Sequence, residues 1–147
     1  MKQQAPSGIS AEHTGRCVSI DGDADRVVYF YHDSDGKFHL LDGDKIATLV
    51  AAHLKELITD CGLSLQLGLV QTAYANGSST IYIQEKLGVP VSCVPTGVKY
   101  LHHKALEYDI GVYFEANGHG TVVFSKEAEA QVNVPIRQFM HEIEILF

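Results

Sequence analysis

The segment Ile20-Asp21-Gly22-Asp23-Ala24-Asp25-Arg26 sets three carboxylates at alternate positions in a turn between two apolar runs. Unpaired, such charges repel one another at a few ångströms, and a hard divalent cation relieves the repulsion. Carboxylate oxygens suit Mg²⁺, Mn²⁺ or Ca²⁺, and no soft ligand stands nearby. Asp21, Asp23 and Asp25 are therefore candidate metal ligands, with Gly22 and Ala24 small enough for the backbone to wrap closely. Arg26 follows directly. It is either a donor of charge-assisted hydrogen bonds to a phosphoryl group or the salt-bridge partner of one of the aspartates.

Other readings compete for this loop. Asp and Gly are common turn formers, so the segment also suits a solvated hairpin connection. An EF-hand begins with alternating acidic residues but needs Gly at loop position six and a bidentate Glu at twelve; Arg26 and His32 stand there. A haloacid-dehalogenase-type phosphatase also runs a strand into paired aspartates, but would want Thr where Asp25 sits. The second acidic turn, Asp33-Ser34-Asp35-Gly36, reads as a hairpin tip, with Gly36 supplying a positive φ. His102 and His103 point about 100° apart on a helix and cannot chelate one ion from the same face.

The elements that must hold these residues follow from hydrophobic periodicity. Residues 1–15 are polar and lack a sustained pattern. Cys17 to Ile20 and Val27 to Tyr31 are β-branched and aromatic runs bracketing the acidic turn, and Phe38 to Leu41 returns as a strand. Asp42 or Asp44 caps a helix whose expected core face is Ile46, Leu49, Val50, Leu54, Leu57 and Ile58, with Gly62 past its end. Leu67 to Thr72 reads as a buried strand, Ser78 or Ser79 opens a short helix toward Leu87, and Val91 to Val94 is another strand. A third helix is expected from Val98 to Tyr108, then strands from Ile110 to Phe114 and Thr121 to Phe124, and a short amphipathic helix from Ile136 to Phe147. Strand–helix–strand order implies right-handed crossovers, hence an α/β domain with a mixed, mostly parallel sheet flanked by helices. Asn76 and Ser78 fall in the loop after a strand, where parallel sheets hold substrates, although turn chemistry explains them equally well.

An apolar share of 46% over 147 residues is ample for one buried core, or one and a fraction. The net charge of −7 argues against a general nucleic-acid or anionic-membrane surface. Cys17, Cys61 and Cys93 are odd in number and lack metal-type spacing, so they read as reduced thiols. No apolar run approaches the roughly twenty residues a membrane helix needs, and the expected location is the cytoplasm.

The segments DGDADR (21–26), LDGDKIATL (41–49), QTAYANGSST (71–80), PTGVKYLHHKA (95–105) and GVYFEANGHGT (111–121), in this order, resemble the α-D-phosphohexomutase family. Bacterial members of that family read Gly-Glu-Met-Ser-Gly-His in the sugar loop. Here Phe114, Ala116 and Asn117 replace Gly, Met and Ser, while Glu115, Gly118 and His119 match, a variant similar to the acetylglucosamine branch. The resemblance implies that residues 1–41 end the family's second domain, with the metal loop, and that 42–130 form its sugar-binding third domain. It leaves 131–147 unassigned.

The resemblance further implies Mg²⁺ on Asp21, Asp23 and Asp25, with the missing ligand a phosphoserine oxygen from the first domain, and Arg26 against the transferred phosphoryl group. Glu115 and Asn117 would hold the hexose hydroxyls, Gly118 would let the backbone close in, and His119 would touch the sugar or its phosphate or satisfy the loop backbone. Thr96, Gly97 and Lys99 would open a helix toward the phosphate. The implied reaction interconverts N-acetylglucosamine 6-phosphate and 1-phosphate through a bisphosphate intermediate, supplying UDP-N-acetylglucosamine. The chain is expected to be a fragment with negligible activity alone. A non-catalytic sugar-phosphate-binding or assembly module, or a small metal-dependent phosphatase, are the alternatives.

Overall fold

The structure, a computed structural model, describes residues 4–10, 12 and 15–132. Strands β1 (Cys17–Ile20), β2 (Val27–His32) and β3 (Phe38–Leu41) form an antiparallel meander. Ile20 faces Val27 across the first pair, so the acidic loop 21–26 is the β1–β2 connection. Tyr29 faces Leu41 across the second pair. The other acidic turn is the β2–β3 tip. There the Asp33 carboxylate accepts the amides of Asp35 and Lys37, at 3.1 and 2.9 Å, and lies 2.7 Å from His39 Nε2. Those contacts, led by His39, hold the Asp33 carboxyl below its ordinary value. The turn is closed by its own side chain, as a hairpin tip requires.

Helix α1 (Gly43–Asp60) begins at Asp42, whose side chain accepts the Lys45 amide at 3.2 Å. Its last turn closes with Gly62 at φ 63°, and Leu63 N–H returns to Ile58 O. The buried stripe is Gly43, Ala47, Ala51 and Ile58, with Val50 and Leu54 partly covered beside it. The expected face was therefore rotated: Leu49 is 67% exposed and Leu57 43%. The reason is proximity to the sheet. Small residues at four-residue spacing bring the helix axis close, so the larger side chains are pushed to the flank. Ile46, Leu49 and Val50 there line an open apolar groove of about 730 Å³ with Tyr29, Phe30, Tyr31 and Leu41.

A second sheet follows: β4 (Leu67–Thr72), β5 (Val91–Val94), β6 (Ile110–Phe114) and β7 (Gly120–Phe124), in the order β5-β4-β6-β7. β4 pairs in parallel with both β5 and β6, while β6 and β7 are antiparallel, giving a mixed sheet. Between β4 and β5 lie α2 (Gly77–Ile81) and a π-helical turn, Tyr82–Lys86. The α2 cap is Asn76, whose side chain accepts the Ser78 amide at 2.9 Å, rather than Ser78 or Ser79 as expected. An Asn two positions before Ser78 reaches an orphan amide of the first turn. Helix α3 (Val98–Ala105) stops short of the expected Tyr108, because Tyr108 N–H turns back to Ala105 O. The last helical segment described covers 126–132, and the expected helix 136–147 lies outside the described residues.

The core has two layers, one on each sheet face. Leu67, Leu69, Ile110 and Val112 pack under α1, whereas Val70 and Tyr113 pack under Leu101 and Ala105 of α3. Alternation along β4 and β6 explains the split, since successive side chains leave a strand on opposite faces. Among the described residues, no helix is long and apolar enough to cross a membrane.

Candidate active site

Because β4, β5 and β6 run parallel, their carboxyl ends share one edge, and β4 lies between strands reached by crossovers in opposite directions. That edge is where open α/β sheets place their ligands. Three loops emerge there: 73–76, 95–97 and 115–119. The acidic loop reaches the same place from the other sheet, through contacts that no local pattern announces.

The 115–119 loop is a tight turn tied on three sides. Internally, Gly118 N–H donates to Glu115 O at 2.9 Å and Glu115 N–H to His119 O at 2.8 Å. Toward β2, Val27 N–H donates to Gly118 O at 3.2 Å, and Arg26 and His119 form an isolated antiparallel bridge. Gly118 is at φ +90°, and a Cβ there would sit 2.1 Å from Val27 O, so only glycine fits. Toward α1, Gly43 N–H donates to Ala116 O at 3.3 Å. Toward α3, Gly97 N–H donates to Glu115 Oε1 at 3.3 Å. Asn117 Oδ1 accepts the His119 amide at 2.9 Å. This leaves Glu115 Oε2 as an acceptor and Asn117 Nδ2 as a donor, a pair suited to neighbouring hydroxyls.

In the acidic loop, Asp21, Asp23 and Asp25 are exposed and each offers one oxygen, all within 4.8 Å of one another. Ala24 stands at φ 61°, the one non-glycine residue with positive φ among those described, where the chain turns inward. The Ala24 amide donates to Asp21 O, and the Arg26 amide donates to Asp21 Oδ1, each at 3.2 Å. Arg26 Nε lies 3.6 Å from Asp21 Oδ2 and 3.7 Å from Asp25 Oδ1, so its guanidinium offsets part of the loop's negative charge at ion-pair distance. His119 Nδ1 lies 3.0 Å from Asp25 Oδ2, joining the two loops directly. An oxygen-only set of three carboxylates at this spacing fits a hard divalent cation.

Thr96 and Lys99 are exposed at the start of α3, beside Gly97 at φ 128°. The structure thus places the acidic loop and the 115–119 loop at one edge, and adds Gly43, which the sequence reading passed over, the tie of Asp44 to the 73–76 loop, and the contact of His119 with Asp25. The signal at Gly43 was a glycine at the first helical position, where a better helix former would otherwise stand. His102 is half-buried with Nδ1 3.1 Å from Tyr113 Oη, and His103 is exposed, so one packs and the other faces solvent.

Asp44 accepts the Asn76 amide at 2.9 Å and so ties the 73–76 loop to α1. Burial raises its carboxyl above the ordinary 3.8, opposed by that amide. A carboxyl raised on folding contributes stability that is complete below its unfolded pKa and lost as pH rises through the folded value. Asp44→Asn keeps an acceptor but removes the charge. Its stability relative to the parent is expected to improve from pH 3 to pH 7, by under about 1 kcal/mol because water screens the half-exposed group. Urea midpoints at both pH values measure this, and an unchanged difference would contradict it.

The profile of phosphoacetylglucosamine mutase AMG1, domain III, matches residues 42–144. The chain is 62% identical to phosphoacetylglucosamine mutase of Sus scrofa over 142 residues, 97% of this chain and 26% of that protein. It is 58% identical to that of Saccharomyces cerevisiae over 129 residues, 85% of this chain and 23% of the other. A crystal structure of Aspergillus fumigatus N-acetylphosphoglucosamine mutase in complex with GlcNAc-6P and magnesium matches with TM-score 0.83 and 54% identity, over 86% of this chain and 26% of that one. A product complex of N-acetylglucosamine-phosphate mutase, a member of the α-D-phosphohexomutase superfamily, matches with TM-score 0.83 and 53% identity, over 88% and 25%. The chain spans about a quarter of the length of these relatives. With a profile match over most of its residues and relatives more than half identical over nearly all of it, the chain belongs to the phosphoacetylglucosamine mutase family, matching its domain III, within the α-D-phosphohexomutase superfamily.

Proposed function

We propose that this chain supplies the metal loop and the sugar-recognition loop of a phosphoacetylglucosamine mutase, which interconverts N-acetylglucosamine 6-phosphate and 1-phosphate. The observation that carries this reading is the junction itself: the aspartate loop and the 115–119 loop meet through the 3.0 Å contact of His119 with Asp25. Asp21, Asp23 and Asp25 hold Mg²⁺, which supplies positive charge to a phosphoryl group in transfer. Arg26 lies at ion-pair distance from two of these aspartates. With a cation on those oxygens, the guanidinium N–H groups of Arg26 would be available to donate to phosphoryl oxygens.

Glu115 Oε2 and Asn117 Nδ2 bind sugar hydroxyls, and Thr96, Gly97 and Lys99 at the α3 N-terminus bind the phosphate that is not reacting. The phosphoserine that donates and recovers the phosphoryl group comes from another domain, and transfer passes through a bisphosphate. Catalysis then rests mainly on in-line positioning and charge stabilisation. A cytoplasmic setting accords with the three cysteines, all free thiols.

The test is a graft. This chain alone is expected to give no measurable turnover of N-acetylglucosamine 6-phosphate. Replacing the homologous segment of the Sus scrofa relative with it is expected to keep the rate within about tenfold. Turnover by the isolated chain, or a folded but inactive graft, would overturn the reading.

A further inference from the structure

The two loops of the site come from segments far apart in the chain, and two kinds of tie join them. The Val27–Gly118 hydrogen bond and the Arg26–His119 bridge are backbone contacts, which place the loops but orient no carboxylate. The third tie is made by side chains. His119 Nδ1 meets Asp25 Oδ2 at 3.0 Å, whereas the other oxygen, Oδ1, has Arg26 Nε at 3.7 Å, beyond hydrogen-bond range. The Asp25 side chain is 42% exposed and that of His119 29%. Without the imidazole, a carboxylate that exposed samples several rotamers, and a cation must freeze it on binding.

We propose that His119 is a positioning residue of the metal loop. It donates Nδ1–H to Asp25 Oδ2 and thereby presents Oδ1 to a divalent cation. This rests on the metal reading above, and it gives His119 a task separate from any contact with sugar or phosphate. The backbone bridge fixes the ring's origin, the planar imidazole fixes the direction of its donor, and the donor selects one Asp25 rotamer. Hydrogen bonds to ligating carboxylates act this way in metal sites, and losing such a partner costs about 10–100-fold in affinity. One consequence is that the aspartate loop is fully competent for metal only while the 115–119 loop is seated against β2.

Isothermal titration of Mg²⁺ into the full chain tests this in four variants: His119→Ala, His119→Phe, His119→Asn and His103→Ala. His119→Phe keeps ring volume without a donor, so it stands in should the alanine variant unfold. His119→Asn restores an N–H donor on Cγ, where Nδ1 stood. Mg²⁺ affinity is expected to fall about tenfold or more in the Ala and Phe variants, to recover in part with Asn, and to be unchanged in His103→Ala. Parent-like affinity in the Phe variant overturns the proposal, as does a loss that Asn fails to recover. If the parent chain itself binds no Mg²⁺, the metal reading fails first and this one with it.

Discussion

Gly43→Ala is expected to lower the stability of this protein by about 3 kcal/mol or more, against the usual direction of that substitution. In an open helix, alanine is favoured over glycine by about 1 kcal/mol. At Gly43, however, the added Cβ would lie 1.8 Å from Glu115 O and 3.1 Å from Gly118 N. Both are backbone atoms of the 115–119 loop, so no side chain can swing aside. Either α1 lifts from the sheet or the loop leaves its seat, and both lose the Gly43–Ala116 hydrogen bond. The control is Gly77→Ala, at the first residue of α2, where nothing lies within 4 Å of the new Cβ. That variant is expected to melt within about 2 °C of the parent, whereas Gly43→Ala should fall by roughly 6–12 °C. Equal melting temperatures for the two would show that α1 and the loop are not in the contact described.

The second large effect is expected at Asp23, and its sign reverses with the metal. Arg26 lies against Asp21 and Asp25, and His119 against Asp25, so removing either carboxylate also breaks internal ties. Asp23 takes part in none of those contacts, which makes Asp23→Asn the cleaner probe. In the absence of divalent cation, the substitution relieves repulsion among three exposed carboxylates and should leave stability equal or higher by a few tenths of a kcal/mol. With Mg²⁺ at a hundred times its dissociation constant, the parent should gain about 2.7 kcal/mol by mass action, while the variant gains almost none. Thermal melts with and without Mg²⁺ read both halves. A variant stabilised by Mg²⁺ as much as the parent would exclude Asp23 as a ligand.

The strands were legible because each is a short, largely apolar run between turn formers. Phe38–Leu41, Leu67–Thr72, Val91–Val94 and Ile110–Phe114 fall at the residues their patterns mark. The helices were less so. Periodicity places α1 but averages over neighbouring stripes, and it took Leu49 and Leu57 for core where Ala47 and Ala51 are. Hydrophobicity alone does not register that a small residue permits a closer approach. The π-helical turn at Tyr82–Lys86 left no local mark either.

For the site, local chemistry singled out the aspartate trio and the glycine-rich loop, since repelling carboxylates and a residue forced to positive φ carry their causes in their own neighbourhood. Which of these segments touch was a different matter. Residues 25 and 119 meet because β6 lies beside β4 and returns its loop to the end of β2, and that follows from how two sheets and a helix pack. Residue types and spacing determined the chemistry available to this protein. Only close packing, through a glycine in α1, a glycine against β2 and one imidazole, decided that the aspartate loop and the 115–119 loop meet.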